Sequence, residues 1–294
     1  MSILGFDCGT YTLVACRRKG GDKEDAKDFS YKKEINAFLS IPLDDPFMFN
    51  MMKNAGVPII EREKVAYALG EAAVKMAYSM PMVELKRPMQ DGCLNPKEKD
   101  SMNILKIMMH SLIGEIDTDA SPLYYSVPAN AINSETDASY HSEVLKSIFQ
   151  SYRSSQGFKV SPHPINEALA LVYAELNSKQ YTGIGMSFGA GMVNVCFSIF
   201  SHPVFSFSIV NSGDWIDRMA AKACGESATY INQRKLTVDL EKEPEDMVER
   251  AIQTQYRLMI MNTIRHLKDG LATAGNKART DAPIDIVIAG GTSK

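Results

Sequence analysis

The chain has 294 residues, an apolar share of 45%, a charged share of 23% and a formal net charge of −3. That length admits two domains with substantial cores. The near-neutral balance, without a long basic run, argues against nucleic acid as a main partner. The five cysteines form no Cys-x-x-Cys pair and the five histidines no His-x-x-x-His pair. Both facts fit reduced thiols in the cytoplasm and argue against a structural zinc site. No basic leader precedes the first apolar run, and no apolar stretch approaches the ~20 residues that span a bilayer.

In chain order, residues 3–7 and 12–17 predict two short strands around the turn Asp7-Cys8-Gly9-Thr10. The charged residues 19–33 read as an exposed loop. Alternation over 35–41 and 65–69 predicts further strands, followed by a short helix over 71–78. Asn95-Pro96 introduces a helix with Met102, Leu105, Met109, Leu112 and Ile113 on one face. An apolar run at 123–127 precedes a second helix, capped near Asn133 or Ser134, and a third helix covers 167–176.

The pattern restarts at Gly183. Strands over 183–187 and 193–200 flank the turn Ser187-Phe188-Gly189-Ala190-Gly191-Met192, and a third strand covers 204–210. Helices follow over 215–223 and, after Pro244, over about thirty residues to Ala274. A last apolar strand, 284–289, ends at Gly290-Gly291-Thr292. The same hairpin twice, among mixed strands and helices, indicates a duplicated α/β fold. The lobe boundary is expected near 178–182, giving lobes 1–180 and 181–294. Peripheral subdomains are expected near 31–86 and, helical, near 214–280.

Three glycine turns at strand tips suit close backbone approach to a phosphate or nucleoside. With the run Leu69-Gly70-Glu71-Ala72, with Arg87-Pro88-Met89-Gln90-Asp91-Gly92, with Ile165-Asn166-Glu167-Ala168 and with Asn211-Ser212-Gly213-Asp214, they resemble the actin-like ATPase superfamily. That superfamily comprises actin, MreB, ParM, the heat-shock chaperone ATPases and the more distant sugar kinases. The motifs are most like the bacterial-actin branch and span nearly the whole chain.

The resemblance implies two lobes around a nucleotide cleft, with ATP or ADP and Mg²⁺ as cofactors. Asp7 would orient waters on the Mg²⁺, and Gly9, Thr10, Tyr11 and Thr12 would meet the β-phosphate. Ser187, Gly189, Ala190, Gly191 and Met192 would form the second phosphate turn. Glu167 would position the attacking water. Gly213 and Asp214 would lie beside the ribose, Asn232 and Lys235 at the nucleoside, and Gly290, Gly291 and Thr292 under the adenine. Plainer readings stand beside these. Glu167 is also an acid favoured by a helix N-terminus, Lys235 could be a solvated lysine, and Trp215 reads as lobe packing.

Departures from the family pattern concern the second turn, which normally reads Asp-x-Gly-Gly-Gly-Thr. Here Ser187, Ala190 and Met192 replace the aspartate, a glycine and the threonine, and Asn232 replaces a glutamate. They imply slow hydrolysis rather than lost binding, with Ser187→Asp expected to raise turnover and Asn194 a candidate to compensate. The sequence also stops shortly after the adenine turn, where family members continue through several helices, so those C-terminal helices are expected to be absent. The leading expectation is a cytoplasmic actin-like protein that polymerises on ATP, a slow ATPase if active. A degenerate binding or adaptor protein is the alternative, ahead of a chaperone-like ATPase or a sugar kinase. Residues 46–52 are either subdomain core or a surface for filament, adaptor or membrane contact.

Overall fold

The computed structural model describes residues 3–18, 29–79, 84–135, 137–278 and 283–293. Two units emerge, both discontinuous in sequence. One holds residues 1–90, 94–125 and 140–164, and the other residues 91–93, 126–139 and 165–294.

The first unit is built around a five-stranded sheet of order β10-β9-β1-β2-β3. Its strands are β1 (Leu4–Cys8), β2 (Thr12–Arg18), β3 (Phe29–Ile35), β9 (Ser121–Val127) and β10 (Val160–Asn166). Strand β1 pairs antiparallel with β2 and parallel with β9. Helices α3 (Ser101–Ile113) and α4 (Ala138–Gln150) contribute the buried face of this unit's core. There the Phe149 ring meets Phe6 at 5.3 Å and Tyr125 at 4.9 Å. A smaller sheet, β4 (Phe38–Pro42), β6 (Val65–Leu69) and β5 (Ile59–Arg62), carries α1 (Pro46–Asn54) and α2 (Gly70–Ser79). Leu39, Ile41, Met52, Ala68, Ala73 and Met76 are its core. A two-stranded ribbon, β7 (Met89–Gln90) and β8 (Cys93–Leu94), follows.

The second unit contains a four-stranded sheet of order β13-β12-β11-β14. It comprises β11 (Gly183–Phe188), β12 (Val193–Ile199), β13 (His202–Ile209) and β14 (Ile286–Ala289). Its pairing repeats the first sheet, since β11 is antiparallel to β12 and parallel to β14. The duplication expected from sequence is therefore present at the level of register. One sheet face meets α5 (Glu167–Glu175) so closely that a Cβ at Gly185 would lie 2.1 Å from the Ala168 carbonyl oxygen. The other face packs on α6 (Gly213–Cys224), α7 (Ala228–Lys235) and α8 (Met247–Ala274) through Ile216, Ile231, Ile252 and Met259.

Several sequence expectations change. Residues 29–33 of the expected charged loop are strand β3, while 19–28 lie outside the described residues. The expected strand 35–41 is interrupted at Asn36-Ala37, where β3 ends and β4 begins. Helix α4 starts at Ala138 rather than beside Asn133 or Ser134. Helix α5, expected in the first lobe, belongs with the second unit because its buried side packs on β11.

Candidate functional site

In the first unit, the β1–β2 hairpin presents the turn at Gly9. A Cβ there would lie 2.4 Å from the Thr12 carbonyl oxygen, so the turn admits only glycine without shifting backbone. Thr10 is buried, and Asp7 is exposed on β1. Asn36, which the motif reading missed, and Arg87, which opens one of its motifs, brace this turn. Buried Asn36 donates its side-chain amide to the Gly9 carbonyl at 3.1 Å, and its N–H to the Tyr11 carbonyl at 2.8 Å. The Arg87 guanidinium stands 5.0 Å over the Tyr11 ring, a cation–π contact. The break in alternation at Asn36 was the only sequence signal of its role.

In the second unit, three glycine turns converge on one carbonyl group. The Gly189 oxygen accepts from the Gly213 N–H at 3.2 Å, the Ser212 hydroxyl at 2.5 Å and the Thr292 hydroxyl at 3.1 Å. The Asp214 N–H donates to the Ala190 carbonyl at 2.8 Å, and the Thr292 N–H to the Phe188 carbonyl at 3.0 Å. Gly290 has φ +106°, and a Cβ there would meet the Phe188 carbonyl oxygen at 2.3 Å. At Gly291 a Cβ would meet nothing within 4 Å, so backbone at this turn borders open space. The hairpin closes through the Gly189 N–H on the Met192 carbonyl at 3.0 Å. Among the described residues, the N–H groups of Ala190 and Gly191 have no acceptor. Two adjacent N–H donors in a turn, beside the N-terminus of α6, make a concavity suited to an anion.

Glu167 opens α5, whose N-cap Asn166 accepts from the Leu169 N–H at 3.0 Å. Both carboxylate oxygens of Glu167 are engaged: Ser187 donates to one at 2.5 Å and Asn194 to the other at 2.9 Å. Asn194 is held in turn, accepting from the Ser208 hydroxyl and from the Ala129 N–H at 3.3 Å. Helix dipole alone therefore does not account for Glu167; a buried chain of donors aims it.

Three residues that the resemblance assigned to the ligand make other contacts. The Met192 side chain is buried against Gly92, where a Cβ would meet its Cγ and Sδ at 2.5 Å, so it packs inward rather than facing a ligand. Lys235 is not a solvated lysine. It is buried, 2.7 Å from Asp217, and donates to the Gly213 carbonyl at 3.0 Å. Asn232 donates to the other Asp217 oxygen at 2.7 Å. Burial pushes the Asp217 carboxyl up, opposed by the Lys235 charge. The pair thus braces α7 against the first turn of α6, with Gly213 and Asp214 on that turn. Among the described residues, no group of three His, Cys, Asp or Glu side chains could hold a metal ion directly.

No curated protein matches the chain in sequence. A family model described as Volactin matches residues 1–294. Among solved structures, a MamK double helical filament is similar at 15% identity and TM-score 0.71, over 99% of this chain and 86% of that one. MreB5 of Spiroplasma citri is similar both bound to AMPPNP (13%, TM-score 0.62) and bound to ADP (14%, TM-score 0.63). Each of these matches covers 99% of this chain and 84% of the other. The fold is that of the actin-like ATPases, as the sequence motifs implied.

Proposed function

Because the chain belongs to the Volactin family and carries this fold, we propose that it is a cytoplasmic, ATP-binding, actin-like cytoskeletal protein that assembles on binding nucleotide and hydrolyses it slowly. The convergence of the three turns on the Gly189 carbonyl carries the reading. It leaves the Ala190 and Gly191 N–H donors for phosphate, puts Gly213 and Asp214 beside them for a ribose, and leaves backbone at Gly291 bordering open space for a base. The hairpin turn at Gly9–Thr12 offers a further set of donors for phosphate, with Asp7 to order the waters of a nucleotide-bound Mg²⁺. Similar solved structures include a filament and nucleotide-bound forms, which supports the proposal by analogy of fold.

Slow turnover follows from Ser187. A carboxylate at that position would add a second acid near the metal's waters, and a hydroxyl bonded to Glu167 does not. Glu167 remains the group to position an attacking water. Removing such a positioning residue typically costs about 10²–10³ in rate.

A second reading, a degenerate adaptor that acts through partners, is favoured by Met192, which offers no hydroxyl to a ligand and is buried instead. Calorimetric titration with ATP and ADP, with and without Mg²⁺, separates the two. The proposal expects binding, weakened by Asp7→Ala only when Mg²⁺ is present. A flat titration with the intact protein would leave the adaptor reading.

A further inference from the structure

At the open end of the β1–β2 hairpin, away from the Gly9 turn, the first unit holds a cavity of about 280 Å³. Leu4, Phe6 and Ala15 of the hairpin, Leu123 of β9, and Leu112 and Ile113 at the end of α3 give it an apolar lining. All six are buried. Interiors are close-packed and leave few voids wider than a water molecule, and apolar walls offer water no partners. A dry cavity of about 150 Å³ takes a benzene ring, so this one has room for a hydrocarbon body of roughly ten carbons.

Polar side chains that reach solvent rim that apolar space. Arg17 stands opposite Ser30 in the β2–β3 register, and Lys32 opposite Ala15, so the two cations are diagonal neighbours on one face. Arg17 Nη2 donates to the carbonyl of Ile113, at 2.9 Å, and to that of Glu115. Those bonds cap the end of α3 and fix the guanidinium plane. They leave its Nε and Nη1 hydrogens without an acceptor among the described residues. The Lys32 ammonium reaches the loop after α3, 3.0 Å from where a Cβ on Gly114 would stand. Among the described residues it has no acceptor or carboxylate partner.

Glu115 is the one acid in the lining. Ser155 donates its hydroxyl at 2.8 Å and its N–H at 3.0 Å to one oxygen of that carboxylate. Those bonds hold the carboxyl below the usual range, so it stays ionised. Two cations and one acid leave the lining a surplus of a single positive charge. That balance fits a monoanion better than a phosphate dianion, and a guanidinium beside an ammonium suits the two oxygens of a carboxylate.

We propose that this cavity is a second ligand site, which takes a carboxylic acid with a hydrocarbon body of about ten carbons. The body fills the space lined by Leu4, Phe6 and Leu123, and the carboxylate bridges Arg17 and Lys32. The inference goes beyond the nucleotide reading, since none of these residues belongs to the nucleotide site proposed above.

Calorimetric titration of the full chain with straight-chain carboxylates tests it. Affinity should rise severalfold with each methylene from hexanoate to decanoate and level off at dodecanoate, once the cavity is full. Octan-1-ol, which lacks the charge, should bind about tenfold more weakly than octanoate. Lys32→Glu, at an exposed position where folding is undisturbed, should weaken octanoate about tenfold or more and leave octan-1-ol unchanged. Arg17→Gln should do the same, with circular dichroism to show that α3 persists. Titration with 4-phenylbutanoate, equal to decanoate in carbon count, tells the two sources of such an acid apart: tighter binding than decanoate assigns the site to aromatic acids, weaker binding to acyl chains. A wild-type chain that takes up neither at about 1 mM overturns the proposal. So does an affinity that climbs as steeply beyond decanoate, which would place the hydrocarbon on the surface, or octanoate binding indifferent to Lys32→Glu. The Lys32 variant should bind ATP as the wild type does, which keeps the two claims apart.

Discussion

The Ser187 hydroxyl donates to the Glu167 carboxylate at 2.5 Å, so the residue that departs from the family pattern is bonded directly to the residue expected to position water. The substitution is thus more than a lost acid. It supplies a donor that, with Asn194, fixes where Glu167 points. Asn194, weighed from sequence as a stand-in for the missing carboxylate, acts on Glu167 as well.

That relationship adds a stability consequence to Ser187→Asp, beside its expected effect on turnover. A carboxylate placed against Glu167 in a buried setting cannot ionise freely beside it, so one of the two must hold a proton. A raised carboxyl pKa in the folded state favours folding at low pH and loses that contribution as pH rises through the raised value. Ser187→Asp should therefore be less stable than wild type at pH 8, by about 1–3 kcal/mol, and recover towards pH 5. Thermal denaturation across that range measures it. An unchanged melting temperature at pH 8 would mean that the Ser187–Glu167 bond contributes nothing.

The Gly290–Gly291 turn separates a fold effect from a ligand effect. Gly290→Ala places a Cβ 2.3 Å from the Phe188 carbonyl oxygen at a φ of +106°, so it should lower stability. Gly291→Leu meets no such obstacle, because nothing lies within 4 Å of its Cβ. It should leave the stability within about 0.5 kcal/mol of wild type while weakening ATP, ADP and adenosine alike. If Gly291→Leu binds all three normally, the adenine does not lie at this turn.

Buried His141 gives the fold an acid limit. Its Nδ1 accepts from the Leu94 N–H at 3.1 Å, its Nε2 has no partner among the described residues, and burial pushes its pKa down to about 4. A histidine kept neutral by the fold contributes stability above its unfolded pKa near 6.5, and that contribution is lost as pH falls from there to about 4. The span corresponds to about 3 kcal/mol. Urea titrations of the wild type at pH 7 and pH 4.5 should show the loss, and His141→Gln should flatten the difference. Equal slopes in the two proteins would assign the acid sensitivity elsewhere.

Both hairpins and the long helix were legible because they combine strong periodicity with glycine turns. Residues 248–274 repeat apolar positions at helical spacing, and α8 covers them. Strand β10 was not legible, since Pro162 and Pro164 argue against a strand; it is tolerated because it is the sheet's edge. Strand β3 was hidden by its charges, Lys32, Lys33 and Glu34, as an edge strand's often are. At the site, the motifs located the glycine turns, but not the partners that aim them. Ser208 acts through a hydrogen bond to a residue far along the chain, which no local pattern marks, while Asn36 showed only as a break in alternation and Asp217 only as the last position of the turn motif that begins at Asn211.

Residues 46–52 divide between the two roles weighed for them. Asp45 caps α1 by accepting from the Met48 N–H at 3.1 Å, with Pro46 at the first helical position. Met52 is fully buried, and Met48 packs beside it in the core of the small sheet. Phe47, 70% exposed, and Met51, 39% exposed, stand one turn apart on the outer side. Phe49 is half-buried, so it belongs in neither test. Met52→Ser should cost about 2–5 kcal/mol of stability, whereas Phe47→Ser with Met51→Ser should change it little. If the outer pair is an assembly surface, that double variant will bind ATP normally and sediment less with ATP than wild type does. Unchanged sedimentation with intact nucleotide binding would remove α1 from the assembly surface and leave it as subdomain packing alone.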